Sequence, residues 1–312
     1  MFPVHPRIAV VGSGALGLYY GGRLARSGHD VVFLARADLD VIRANGVTVS
    51  YPGERYTLHP VRVAAKPAEI GPVDLVIIGL KATANEALPL LLPPLLGPET
   101  VVVNLQNGLG VDEQVAAVSG AAHVVGALCF VCVNRTAPGV AECTLPGYIA
   151  LGELAGGLTD RTSAVAELFT QAGLKTQLAG SLLAARWHKL VWNIPFNGLA
   201  VVSGVVRAGM TTDRILQDPV LEARVWALMR EVQSIARAEG VAIADEFVVK
   251  QVEQTRPMGP YKPSTMVDYV AGRPLEITPI WGEPLRRAQA LGVAAPELYK
   301  LHEELCLAGV KV

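Results

Sequence analysis

The 312 residues contain no long apolar run. Residues 73–80 (VDLVIIGL) include an aspartate, and 88–96 (LPLLLPPLL) are broken by Pro89, Pro93 and Pro94. A membrane-spanning helix needs about 20 consecutive apolar residues, so none is readable. An excess of charge of one sign is missing too. Lys and Arg total 27 against 28 Asp and Glu, a net charge of −1. That offers nothing to a nucleic-acid backbone or an anionic membrane. Cysteines are few, four in all. Cys129 and Cys132 have the spacing of a redox pair but lie in AAHVVGALCFVCV, which reads as a strand. Positions three apart in a strand point to opposite faces, so core packing is expected rather than redox chemistry or a metal site. MFPVHPRIAVVGSG shows no basic segment followed by a long apolar stretch, and a cytoplasmic location is the expectation.

What is present is a core-forming composition, 51% hydrophobic and 18% charged, of a length suited to two domains. Apolar strands at 7–12, 30–35, 46–50, 56–63, 73–79 and 100–105 alternate with helical segments at 15–28, 38–44, 82–92 and 111–118. That alternation predicts a parallel sheet covered on both sides. Residues 122–152 read as further strands, with turns at Pro138-Gly139 and Pro146-Gly147. A helix at 160–172 and a strand at 174–178 would close the domain. Beyond about residue 180 helical periodicity takes over: 181–203, 214–239, 245–255, 265–271, 280–291 and 296–308. The expected fold is α/β, a Rossmann-type dinucleotide-binding domain over 1–180 followed by an all-helical domain over 181–312.

Residues 8–17, IAVVGSGALG, place Gly12-x-Gly14-x-x-Gly17 between an apolar strand and a helix. Gly12 permits the tight turn, Gly14 the approach of a pyrophosphate, and Gly17 close packing of helix on strand. Gly12, Ser13, Gly14, Ala15, Leu16 and Gly17 are therefore candidate cofactor-binding residues, with helix N–H groups facing the phosphates. An NAD site would carry an acid at the tip of the second strand. Here the tip reads Phe33-Leu34-Ala35-Arg36. A guanidinium suits a 2′-phosphate, so NADP(H) is favoured over NAD. Asp38, two residues on, suits a helix N-cap.

In RWHKLVWNIPFNG, Lys189, Asn193 and Asn197 stand four residues apart and share one stripe of a helix. Leu183, Trp187, Leu190, Val191 and Ile194 cluster on another face and should enter the core. The polar row suits either solvent or a bound polar molecule. Asparagine is a poor choice for an exposed helix face, and Pro195 predicts a kink. Ser264, after Pro263, looks like an N-cap and Gly272 like a helix stop. Asn107, in NLQNGLG, follows a strand at the sheet's C-terminal end, near where a nicotinamide would lie. Read alone, Ser264, Asn107 and Glu276 suit structural roles as well as functional ones.

Together these segments resemble the ketopantoate reductase family (2-dehydropantoate 2-reductases). The resemblance rests on GSGALG, on LQNG at 105–108, on K-x-x-x-N-x-x-x-N, and on the segment from Ser264 to Glu276. It implies an N-terminal Rossmann domain, a helical C-terminal domain, and NADPH-dependent reduction of a 2-keto acid to a 2-hydroxy acid. The first candidate is ketopantoate to pantoate, a step of pantothenate biosynthesis. It implies that Lys189 protonates the carbonyl oxygen and that Glu276 helps hold substrate and tune the site. It further implies that Asn107, Asn193, Asn197 and Ser264 contact substrate, and that Arg36 and Lys81 lie near the adenosine phosphate. Asn107 would also touch the cofactor.

The chemistry fits those residue types. An ammonium at the carbonyl oxygen stabilises growing negative charge and supplies a proton, while amides add neutral hydrogen bonds. One segment departs from the family pattern of Thr-Glu-Ile-Asp followed by Asn-Gly. Residues 275–282 read Leu-Glu-Ile-Thr-Pro-Ile-Trp-Gly, so an altered pocket wall is expected. Two other readings stand beside the first: a related dehydrogenase of another small acid, and a non-catalytic NADP-binding sensor. The chain would be a monomer or homodimer. The apolar residues of 214–239, from Val220 to Ile235, are expected to pack internally.

Overall fold

The structure, a computed structural model, describes residues 2–309. The chain divides into two compact units. The first comprises the residues through Asn107 together with Val111–Leu182; the second comprises Gly108–Gly110 and the chain from Leu183 onward.

Strand β1 (Arg7–Val11) shows why a sheet forms. Its last four residues are fully buried, and they alternate between two layers. Ile8 and Val10 join Leu18, Phe33 and Phe169, whereas Ala9 and Val11 join Ile78, Leu88 and Leu92. A strand apolar on both faces belongs in the middle of a covered sheet. It is followed by α1 (Ala15–Arg26), β2 (Asp30–Leu34), α2 (Leu39–Asn45), β3 (Val47–Tyr51), β4 (Glu54–Leu58), β5 (Arg62–Ala64), β6 (Leu75–Ile78), α3 (Leu88–Leu91) and β7 (Val101–Asn104). Then come α4 (Val111–Ser119), β8 (Val124–Ala137), β9 (Val140–Glu153), α5 (Asp160–Gln171) and β10 (Thr176–Leu178).

The sheet order is β4-β3-β9-β8-β7-β6-β1-β2-β5, with β10 also beside β9. The strands from β8 across to β5 run parallel. The β8–β9 and β3–β4 pairs are antiparallel, so the sheet is mixed rather than wholly parallel. The chain leaves β1 on one side for β2 and returns on the other at β6. Such a reversal opens a crevice beyond the C-terminal ends of the strands, and Gly12 and Gly79 stand there.

Several expectations are corrected. The region 122–152 forms one long hairpin with a single turn, at Pro138-Gly139. Pro146-Gly147 lies inside β9, where the register shifts. Gly147 has φ +47°, and a Cβ there would come within 1.7 Å of the Phe130 carbonyl oxygen. A β-bulge takes up the extra residue. The helix expected at 82–92 is cut by prolines into a 3-10 segment (Ala82–Ala87), the single turn α3, and a second 3-10 turn (Pro93–Leu95). Cys129 packs in the core while Cys132 is half-buried outside it.

Buried Arg23 fastens the C-terminal half of α1. Its guanidinium donates to the Ala172 and Gly173 carbonyls, each at 2.8 Å, and lies 4.2 Å from the Tyr51 ring centre. The charge is met by carbonyl dipoles and an aromatic face instead of a carboxylate.

The second unit is helical: α6 (Leu182–Val202), α7 (Thr212–Gln217), α8 (Pro219–Ala238), α9 (Asp245–Thr255), α10 (Ser264–Val270), α11 (Glu283–Ala290) and α12 (Pro296–Gly309). The single helix expected at 214–239 is two. Pro219 starts α8, and the Asp218 carboxylate accepts from the Val220 and Leu221 N–H groups at 2.8 and 3.1 Å, an N-cap that restarts the helix. Leu190, Val191 and Ile194 of α6 pack with Leu228, Met229, Val232 and Ile235 of α8 and Leu298 and Leu301 of α12. Val220 is exposed, outside that core. No helix among the described residues is long and apolar enough to cross a membrane.

Candidate active site

The two units each carry part of the predicted constellation. In the first, the glycine loop joins β1 to α1. Gly12 has φ +106°, and a Cβ there would press on Leu80 at 2.8 Å. A Cβ on Gly17 would fall 2.0 Å from the Gly12 carbonyl oxygen, and one on Gly79 would fall 2.7 Å from the Gly17 Cα. These three glycines are demanded by the protein's own packing. Gly14 differs. Its φ of −77° is ordinary, and its Cβ would meet only the Gly79 carbonyl oxygen, at 3.4 Å. The protein's own packing does not need Gly14 to be bare, which leaves this face of the loop open to a group lying against it.

Gly14 is the N-cap of α1 and supplies no side-chain cap, and the first turn has no acid. Its N–H groups and positive dipole end therefore suit an anion. Ser13, Ala15 and Leu16 complete this cradle, which fits a dinucleotide's phosphates.

Arg36 is exposed just past β2, as a contact for a 2′-phosphate requires. Lys81, also exposed, follows β6 on the same strand-end side. Asp38 occupies the N-cap position of α2, but its side chain does not cap. The buried carboxylate instead pairs with Arg135 of β8 and accepts from the Ser13 hydroxyl at 3.4 Å. Asn107 is half-buried. Its neighbour Gln106 is buried and donates to the Leu80 carbonyl at 3.1 Å and to Asn85 at 2.6 Å. Gln106 fixes the backbone that carries Asn107.

The sequence reading had not singled out Gly79, Gln106 or Arg135. Gly79 was readable, as a glycine directly after an apolar strand. Arg135 was not, since its partner lies 97 residues away.

In the second unit, Lys189, Asn193 and Asn197 lie on α6, which runs through Pro195. Lys189 is half-buried, and Asn193 and Asn197 are buried at 8% and 2% exposure, so this row is no water-facing stripe. The Asn197 side-chain oxygen accepts from the Thr265 N–H at 3.0 Å and from the Ser264 hydroxyl at 3.3 Å. Asn197 and Ser264 are thus brought together. The expected N-cap role of Ser264 is corrected: it is the first residue of α10, and Asn197 satisfies the helix end from outside.

Glu276, half-buried, precedes a π-helical turn (Thr278–Gly282) that leads into α11. Such turns gather at functional sites. The Pro279 carbonyl accepts from the Leu109 N–H at 2.8 Å, and a Cβ on Gly108 would collide with that carbonyl at 2.3 Å. LQNG therefore needs its glycine for contact with this turn. Trp281 is fully buried in the helical core, its indole N–H on the Ile194 carbonyl at 3.0 Å. Within the segment that departs from the family pattern, Trp281 therefore packs as core.

The fold is thus a Rossmann-type α/β unit joined to a helical one, the class of two-part nicotinamide-dependent reductases. The family model described as "Ketopantoate reductase PanE/ApbA" matches residues 8–156, and its C-terminal counterpart matches 181–306. A 2-dehydropantoate 2-reductase of Nostoc sp. is 38% identical, covering 96% of this chain and 94% of that protein. The crystal structure of 2-dehydropantoate 2-reductase from Geobacter metallireducens has a TM-score of 0.92 at 43% identity, covering 97% of this chain and 99% of that one. That from Methylococcus capsulatus has a TM-score of 0.88 at 33% identity, covering 98% and 97%. The chain belongs to the ketopantoate reductase family.

Proposed function

We propose that this chain reduces 2-dehydropantoate to pantoate with NADPH, as a cytoplasmic monomer or homodimer. The observation that carries the reading is the α6 row. A half-buried ammonium, Lys189, is followed at helical spacing by two buried asparagines, one of them bonded to Ser264. A lysine so placed suits a proton donor better than a surface charge.

The nicotinamide, when bound, supplies a hydride to the carbonyl carbon. Lys189 transfers a proton to the carbonyl oxygen as charge grows there, completing the hydroxyl. Asn193 and Ser264 hydrogen-bond the polar ends of the substrate. Asn197 holds the α10 end on which Ser264 stands. Glu276, on the approach to the π turn, helps hold the substrate. Asn107 would contact substrate and nicotinamide. Gly12 through Gly17 would hold the pyrophosphate, and Arg36 and Lys81 would hold the adenosine phosphate.

Burial of Trp281 in the core supports ketopantoate over another small acid, because the changed residue is taken up by packing. The deciding assay follows nicotinamide absorbance with NADPH and ketopantoate, beside a panel of other 2-keto acids. Turnover confined to ketopantoate is expected. Turnover of a different acid would move the substrate and keep the mechanism, and tight NADPH binding with no turnover at all would leave a sensor.

A further inference from the structure

Asp38 is a carboxylate with 4% side-chain exposure, four residues beyond the end of β2 and bonded to the Ser13 hydroxyl of the glycine loop. An acid in this neighbourhood ordinarily accepts the ribose hydroxyls of NAD and repels a 2′-phosphate. Here its charge is cancelled from across the sheet. Arg135, near the end of β8, places its guanidinium on the Asp38 Oδ1, and Ser13 occupies Oδ2. Both oxygens are engaged, one by a full positive charge. The arginine is itself about one-third exposed.

We infer that Arg135 is a specificity-determining residue: it masks Asp38 and thereby lets the glycine-loop site take a nucleotide bearing a 2′-phosphate. The inference rests on the NADP reading of that loop. Removing Arg135 leaves a bare carboxylate beside Ser13. A like charge near a phosphate disfavours binding, and the same carboxylate becomes an acceptor for the hydroxyls of NADH. Arg135 thus acts through Asp38 and is a positioning residue for cofactor choice.

The test is fluorescence titration of the purified full chain with NADPH and with NADH, without substrate. The variants are Arg135→Met, Arg135→Gln, and Arg135→Met combined with Asp38→Asn, each checked for folding by thermal denaturation. Arg135→Met should weaken NADPH by roughly tenfold or more while NADH changes little or tightens. Adding Asp38→Asn should return most of the NADPH affinity, because the charge being masked is gone. Arg135→Gln, which keeps a hydrogen bond without the charge, should fall between.

Equal weakening toward both nucleotides would make Arg135 a structural brace and overturn the inference. A double variant as weak toward NADPH as Arg135→Met would make the arginine a direct phosphate ligand and overturn it as well. A wild-type chain that binds neither nucleotide would overturn the dinucleotide reading, and this inference with it. A wild type that binds NADPH, with variants whose preference is unmoved, would overturn this inference alone.

Discussion

The Trp281 indole N–H donates to the Ile194 carbonyl of α6 at 3.0 Å, inside the helical core. Gly198, one turn on, makes room for it: a Cβ there would sit 3.0 Å from the indole nitrogen. The π turn after Glu276 is therefore pinned to the helix that carries Lys189. Trp281→Asn, which installs the residue the family pattern carries here, should cost about 3–5 kcal/mol through the cavity it leaves. Trp281→Phe should cost about 1–3 kcal/mol, mainly from the lost hydrogen bond. Urea denaturation measures both. Retention of wild-type stability by Trp281→Asn would contradict the core role.

Asn197 clamps α10 to α6 through one oxygen that accepts twice. Asn197→Leu keeps the volume and strands the Thr265 N–H at a buried helix end. A loss of about 1–3 kcal/mol in unfolding free energy is expected. Because Ser264 then loses its partner, KM should rise more than kcat falls. Steady-state kinetics beside thermal melts separates the two effects.

Gly14 and Gly17 make opposite predictions although both belong to one motif. Gly14→Ala adds a methyl that the protein tolerates at 3.4 Å, so the melting temperature should stay near that of the wild type. The methyl enters the space a pyrophosphate would use, and NADPH should bind about tenfold more weakly. Gly17→Ala would force a carbon to 2.0 Å from the Gly12 carbonyl and should not fold stably. Normal NADPH affinity in Gly14→Ala would count against the cradle.

The local features of this architecture are written in the sequence, and the long-range ones are not. β1, the glycine loop and α1 form one continuous stretch whose apolar period and glycines each have a local cause. The row on α6 follows from helix geometry alone. The break at Asp218-Pro219 was equally legible, since an aspartate before a proline caps and starts a helix; the apolar period running across it hid the signal. By contrast, the Asp38–Arg135 pair depends on β8 reaching the glycine loop. Asp38 looked like a local cap because nothing nearby in the chain competes for it. The core role of Trp281 was hidden because its partner is a carbonyl on another helix, and backbone acceptors leave no mark in a sequence. The bulge at Gly147 was taken for a turn because Pro-Gly signals a departure from regular pairing without saying which kind.

Glu153 gives a pH dependence of stability. It ends β9 with 2% exposure. Burial pushes its pKa up, but Arg161, Thr159 and Thr162 bond its carboxylate and together hold it below the ordinary value of 4.5. A depressed carboxyl contributes stability that is complete above the unfolded value and lost as pH falls through the lower folded one. Thermal melts taken from neutral pH down to about 3 should show that loss in the wild type. Glu153→Gln should be less stable at neutral pH and lose less on acidification. Parallel curves for the two proteins would mean that other carboxylates set the acid limit.

Lys189 is the residue on which the proposed chemistry turns. Lys189→Ala keeps the helix, since alanine is its best former, and removes the only proton donor assigned to the carbonyl oxygen. Turnover should fall by about 10²–10⁴-fold. NADPH affinity should be unchanged, because the glycine-loop residues proposed to hold the nucleotide lie in the other unit. Lys189→Arg keeps the positive charge but gives up a proton far less readily, because a guanidinium stays protonated above about pH 12. It should therefore bind substrate nearly as well as the wild type and turn over slowly. If charge stabilisation alone mattered, the arginine variant would recover most of the rate. A low kcat at near-normal KM in Lys189→Arg, beside a low kcat in Lys189→Ala, assigns proton transfer to the ammonium; full activity in Lys189→Ala would remove Lys189 from the mechanism.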